Sequence, residues 1–163
     1  ALVSILPATQ NIEKLDLLQN KLYLVGSEKV DFKRGTKTKE ILENLPIIFR
    51  EKGSGTRQTM EKFFAENTIS VLKRMELSSN EAVKQALLAG LGYSVMPLIG
   101  IKNEIQNHEL QIIPLKELPI KTTWSLIWLK GKKQTLVSAA YLEFLKKEIP
   151  NIVESRFMWS ELY

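Results

Sequence analysis

The chain has 163 residues, 44% of them hydrophobic and 25% charged, with 23 Lys and Arg against 18 Asp and Glu. This fits a globular protein of one ordinary domain or two small lobes, and the basic excess favours anionic partners. No run approaches the roughly 18 apolar residues of a membrane helix; without cysteine, disulfides, thiolate zinc sites and cysteine nucleophiles are excluded, and one histidine, His108, leaves little for metal or triad chemistry.

The sequence opens without Met on an apolar run, Leu2 to Leu6, closed by Pro7. It reads as a buried strand met at the very start of a fragment, too short and too poor in preceding basic residues for a signal peptide. Leu15 to Leu18 and Lys21 to Gly26 read as two further strands. Thr38 to Leu45 reads as a short helix ended by Pro46, and Ile47 to Arg50 as a strand running into the turn Lys52-Gly53-Ser54-Gly55.

From Ser54 to Asn67 the spacing predicts a helix with Met60, Phe63 and Phe64 on its apolar face and Arg57, Glu61 and Lys62 in water. Val71 to Leu77 alternates as a strand. Ser78-Ser79-Asn80-Glu81 matches the S-x-x-E capping box of the next helix, whose Val83, Leu87, Leu88 and Leu91 form one buried stripe, with Gly90 and Gly92 as its stop. Tyr93 to Met96 is a strand closed by Pro97 and followed by a short helix to about Ile105.

Leu110 to Pro114 and Thr122 to Leu129 read as the last strands, Trp124 and Trp128 sharing one core-facing side. A long helix from about Gln134 is expected to bury Leu136, Ala140, Tyr141, Phe144 and Leu145 and to stop before Pro150; the tail to Tyr163 adds a helical turn or two. Alternating strands and helices with short connections predict an α/β architecture with a mostly parallel sheet.

Chemistry concentrates at two strand-to-helix turns. At Gly53 to Thr56, a helix start with Ser54 and Thr56 hydroxyls gathers unpaired N–H groups and the positive end of the helix dipole, which suits a carboxylate, sulfate or phosphate. Ser78-Ser79-Asn80 repeats the arrangement one unit later. In both turns the serine can equally serve only to cap its own helix. Ser4, near the end of the first strand, is a third candidate.

No Walker A loop is present, Ser54 lacks the G-x-S-x-G spacing of a nucleophile elbow, and His108 lies in the polar surface segment Asn107-His108-Glu109. Carboxylates such as Glu61, Glu81 and Glu143 sit on solvated helix faces. The dense basic run Lys130-Gly131-Lys132-Lys133 reads as a solvated turn, not as a DNA contact. Neither a catalytic set nor a metal or cofactor site can be assembled.

Two segments, REKGSGTRQTMEKFF from Arg50 and LSSNEAVKQALLAGLGYSVMP from Leu77, resemble the effector-binding domain of LysR-type transcription regulators. ALVSILP, WSLIWLKGKK and LVSAAYLEFLKKE fall in matching order, so the likeness covers the chain up to Pro150. Its pattern is similar to the branch that regulates carbon-fixation and sulfur or nitrogen assimilation operons.

The resemblance implies two Rossmann-like lobes of the type II periplasmic-binding-protein fold, with residues 1–25 and 124–163 in an incomplete first lobe and 26–123 in the second. It implies a cytoplasmic sensor domain, not an enzyme, that binds a small anionic metabolite in an interlobe cleft and needs no cofactor. Ser54, Gly55, Thr56, Ser79 and Asn80 would line the second lobe's side of that cleft, and Ser4 the first lobe's. DNA would be bound only through an N-terminal helix-turn-helix missing from this fragment, in a homodimer or tetramer of the full-length protein. With half of the first lobe missing, apolar surface is expected to stand exposed around Leu2 to Leu6 and on the Leu136–Leu145 helix. A solute-binding protein of an anion transporter, and an enzyme on the same fold, are the competing expectations.

Overall fold

The computed structural model describes residues 1–8, 11–27, 33 and 36–163. In chain order its elements are β1 (Leu2–Val3), β2 (Ile12–Gly26), α1 (Thr38–Glu43), β3 (Pro46–Arg50), α2 (Gly55–Glu66), β4 (Leu72–Leu77), α3 (Asn80–Leu88), β5 (Ser94–Pro97), a 3-10 turn Leu98–Ile101, α4 (Lys102–Gln106), β6 (Gln111–Ile112), β7 (Ile120–Leu129), α5 (Leu136–Phe157) and a closing 3-10 turn Met158–Leu162. The chain divides into two compact units, one of Ala1–Asn20 with Thr122–Tyr163 and the other of Lys21–Lys121.

The Lys21–Lys121 unit holds the core. Leu22, Leu24, Leu42, Ile47, Met60, Phe63, Phe64, Val95 and Ile113 pack into one cluster, to which β2, α1, β3, α2, β5 and the segment after β6 contribute. The amphipathic spacing predicted for α2 delivers Met60, Phe63 and Phe64 to it as expected. In α3 the buried positions are Val83, Ala86 and Leu87. Leu91, expected in that stripe, is exposed, because the helix ends at Leu88 and Gly90 turns the chain away at φ 69°.

The described strands form two sheets, a five-stranded one and the pair β3 and β4, and the expectation of a mostly parallel sheet is corrected. β3 pairs parallel to β4, and a parallel bridge joins Ile47 to Tyr93. Beyond it, β5 and β6 both pair antiparallel to the second half of β2. Local periodicity reports which residues are buried; strand direction is set by these long-range pairings.

β2 also replaces the two strands expected at Leu15–Leu18 and Lys21–Gly26. Only Gln19 and Asn20 separate them, with no Gly or Pro to break the strand, and the backbone stays extended for 15 residues. Its first half is exposed or half-buried, whereas Asn20 to Gly26 is buried throughout.

In the other unit β1 pairs antiparallel to β7, which neighbours β2. Polar bonds recur between these strands: Ser125 Oγ donates to Asp16 (2.6 Å), Trp128 Nε1 to Glu13 (2.9 Å) and Asn20 Nδ2 to Thr122 Oγ1 (3.2 Å). Apolar side chains are exposed at Leu2, Ile5 and Leu6 and along α5, where Leu136 is 91% accessible and Val137, Tyr141 and Phe144 stand largely in solvent. The exposure expected for these segments is therefore present. The buried first strand is not: β1 is only two residues long.

The packing that periodicity assigned to α5 is likewise overturned, since it has no buried residue. α5 also runs through Pro150 to Phe157 instead of stopping before it, forgoing the bond that a residue with an N–H would make there. Trp124 and Trp128 are half-buried, with Ser125 the buried residue beside them.

Gly92 is fixed by a close approach. Tyr93 N–H donates to the Pro46 carbonyl (2.9 Å) and Ile48 N–H to the Tyr93 carbonyl (2.7 Å), which presses Gly92 against β3. A Cβ at Gly92 would lie 2.5 Å from the Pro46 carbonyl oxygen, a backbone atom that cannot swing aside. Gly92→Ala is expected to destabilise the chain by about 1–3 kcal/mol, as overpacking does. An unchanged urea midpoint would show that the bridge between β3 and β5 has slack.

Candidate functional site

Because β3 and β4 are parallel, their carboxyl ends lie at the same edge, and the helix that follows each strand starts there. The two ends are joined directly, with Glu51 N–H donating to the Leu77 carbonyl (3.0 Å). Ser54 N–H closes the turn by donating to the Glu51 carbonyl (3.2 Å). At the start of α2, Ser54 is buried and its Oγ accepts from Arg57 N–H (3.4 Å); Gly55 and Thr56 form the first turn. At the start of α3, Ser79 Oγ accepts from Ala82 N–H (3.0 Å).

The capping box read at Ser78 is therefore displaced by one residue. Ser79 takes the cap, and Glu81 turns along the helix to accept from Gln85 Nε2 (2.9 Å) and to pair with Lys84 (2.9 Å). With the cap one residue later, Glu81 falls too early in the helix for the reciprocal bond.

Two arginines knit these turns together. Arg50, the last residue of β3, forks onto the Glu51 carboxylate through Nε (2.7 Å) and Nη2 (2.9 Å), while Nη1 donates to Asn80 Oδ1 at the start of α3. This pairing holds the Glu51 carboxyl below its usual range.

Arg57 was expected in water, but it is only 8% exposed. Its Nη1 donates to the Arg50 carbonyl (2.9 Å) and to Glu76 on β4 (2.6 Å), and its Nε to Glu61 one turn along α2 (2.6 Å). Its guanidinium carbon lies 5.5 Å from the centre of the Phe49 ring. A buried cation survives here because Nε and Nη1 meet three acceptors, two of them carboxylates.

Ser54, Gly55, Thr56, Ser79 and Asn80 thus gather at one edge of the Lys21–Lys121 unit, while Ser4 sits in the bend after β1 in the other unit. Both serines act as caps, and two helix starts face an edge that also carries Arg50. The arrangement offers backbone N–H donors and a cation to an anion, and no paired acid and base. His108 lies in an exposed turn at φ 61°. Among the described residues no cluster of His, Asp or Glu is placed to hold a metal, and no helix is long and apolar enough to cross a membrane. A cavity of about 400 Å³ lies elsewhere, in the unit that holds β1, lined among others by Leu126, Trp128, Lys132, Thr135, Tyr141 and Leu142. None of the predicted site residues lines it.

A family model described as the LysR substrate binding domain matches residues 1–150. The chain belongs to this family. As a LysR-family domain it is 36% identical over 140 residues to the HTH-type transcriptional activator CmpR of Synechocystis, covering 85% of the chain and 46% of CmpR. It is 38% identical over 102 residues to a RuBisCO operon transcriptional regulator of Allochromatium vinosum, covering 63% of the chain and 34% of that protein. The chain spans less than half the length of these curated relatives.

Among solved structures, the CcmR regulatory domain of Synechocystis PCC6803, in complex with 2-PG, superposes with TM-score 0.82 at 31% identity, covering 93% of the chain and 73% of that domain. The effector-binding domain of QuiR in complex with shikimate superposes with TM-score 0.76 at 20% identity, covering 92% of the chain and 71% of QuiR's domain, a likeness of fold alone. The fold is the type II periplasmic-binding-like fold of LysR effector-binding domains.

Sequence reasoning missed Arg50 and Arg57 as parts of the site. The available signal was their position, one ending a strand and the other in the first turn of the next helix, both flanking the glycines. Arg57 also sets a pH dependence. Lys73 and Arg57 hold the Glu76 carboxyl at about 2, against 4.5 ordinarily. Its folded value is depressed, so the stability it contributes is present above about pH 4.5 and is lost as pH falls toward about 2. Glu76→Gln is expected to flatten the fall in urea midpoint across that window relative to the wild-type chain. Parallel curves for the two proteins would show that Glu76 gains nothing from its cations.

Proposed function

We propose that this LysR-family domain senses a small anionic metabolite held at the paired starts of α2 and α3, and that it regulates transcription without catalysis. The observation that carries this reading is the likeness to the CcmR regulatory domain, 31% identical across 93% of the chain, which was solved with 2-PG bound. The site chemistry agrees with it. Ser54, Gly55 and Thr56, with Ser79 and Asn80, bring backbone N–H groups, hydroxyls and an amide to one edge beside Arg50, donors that suit phosphate or carboxylate oxygens.

In this reading the two units correspond to the two lobes, which the family resemblance bounds at residues 1–25 with 124–163 and at residues 26–123. Ser4 is the first lobe's contact, an assignment that rests on the family resemblance. The whole protein is a cytoplasmic regulator that works as a homodimer or tetramer. Its DNA contact belongs to a helix-turn-helix of the kind for which its HTH-type relatives are named. Those relatives are transcription regulators, which favours this function over that of a transporter's solute-binding protein.

Calorimetric titration with 2-PG tests the site. Thr56→Ala and Asn80→Ala are each expected to weaken binding by about 3- to 10-fold, the worth of one or two lost hydrogen bonds. Affinity unchanged in both variants would remove the helix starts from the effector site.

A further inference from the structure

We propose that Arg50 is the residue that recognises the effector's anionic group, and that Glu51 is a built-in competitor which occupies Arg50 when the effector is absent. The inference rests on the anion-sensing reading above and names the charge that performs it. Arg50 ends β3 between the two helix starts, with its side chain 16% exposed. Its guanidinium presents two different edges. Nη1 donates to Asn80 Oδ1, which anchors the group over the start of α3. The Nε and Nη2 edge, whose fork geometry matches two oxygens of a carboxylate or phosphate, is filled by both oxygens of Glu51 (2.7 and 2.9 Å). Glu51 therefore marks where an anion sits and how it is oriented.

Glu51 is also easy to displace. Its side chain is 38% exposed, and an ion pair in that much water is worth little. An incoming anion takes the same fork and adds the N–H donors of the helix starts, which Glu51 does not use. Displacement leaves Glu51 free to turn into solvent, while the Asn80 bond keeps Arg50 in place. The other cation of the cluster cannot take this role, since Arg57 is buried and held by Glu61, Glu76 and the Arg50 carbonyl.

Titration of the whole chain and its variants with 2-PG tests the idea, with thermal midpoints recorded to show that each variant is folded. Glu51→Gln keeps the shape but removes the competing charge, and is expected to tighten binding by about 2- to 5-fold. Arg50→Gln is expected to weaken it by on the order of 10- to 100-fold, and Arg50→Lys, which keeps charge without the fork, by an intermediate factor. A merely structural role for the pair would make Glu51→Gln weaken binding along with Arg50→Gln, and that result overturns the proposal. Wild-type binding left unchanged by Glu51→Gln also overturns it, while the anion-sensing reading stands. If neither the wild-type chain nor Glu51→Gln binds 2-PG, both fall together.

Discussion

Arg57 donates in three directions from a nearly dry position: along its own helix to Glu61, across the sheet to Glu76, and to the carbonyl that ends β3. The third bond matters most for the site. It fixes where the backbone leaves the strand, and with it the direction in which Arg50 and the turn to Ser54 set out. Glu76 is shared with Lys73, and the Phe49 ring lies near both cations, so the ends of two strands and the first turn of a helix form one polar knot on an aromatic base. Burying a cation is costly unless it is paired, and here its three acceptors require β3, β4 and α2 to be in place together. The candidate site inherits its geometry from that requirement.

The parts of this arrangement that were legible in the sequence are the local ones. The glycines and hydroxyls at Gly53 to Thr56 announced a strand-to-helix turn, and the spacing of Met60, Phe63 and Phe64 announced the face of α2. What local pattern cannot carry is the partner of a distant strand. Ile47 reads the same whether its neighbour is parallel or antiparallel, and β2 was drawn into a separate antiparallel sheet by its pairings with β5 and β6, far away in sequence. Arg57 was misplaced for a related reason. Counting apolar positions on a helix puts every arginine outside, and only the acceptors on β3 and β4 explain why this one lies inside. At Ser78 and Ser79 two adjacent hydroxyls offered the same cap, and sequence alone had no means of choosing between them.

The proposed function rests on what the edge of the Lys21–Lys121 unit presents. Two helix starts and Arg50 offer donors that suit an anion. As a sensor, a domain of the LysR family must release its ligand unchanged. Both capping serines remain compatible with that role. A cap satisfies one of the free N–H groups of a helix and leaves others for a ligand.

The two units are held by different means. Every buried apolar side chain among the described residues lies between Lys21 and Lys121, whereas the other unit buries Asn20, Ser125 and Ser160 and joins its strands through side-chain hydrogen bonds. Exposure of apolar surface raises the heat capacity on unfolding, and exposure of polar surface lowers it. The larger share of the curvature of stability with temperature therefore belongs to the unit that carries the candidate site. Its apolar cluster weakens on cooling, while the polar bonds between β2 and β7 follow a flatter course. A single strand, β2, passes through both regimes within 15 residues.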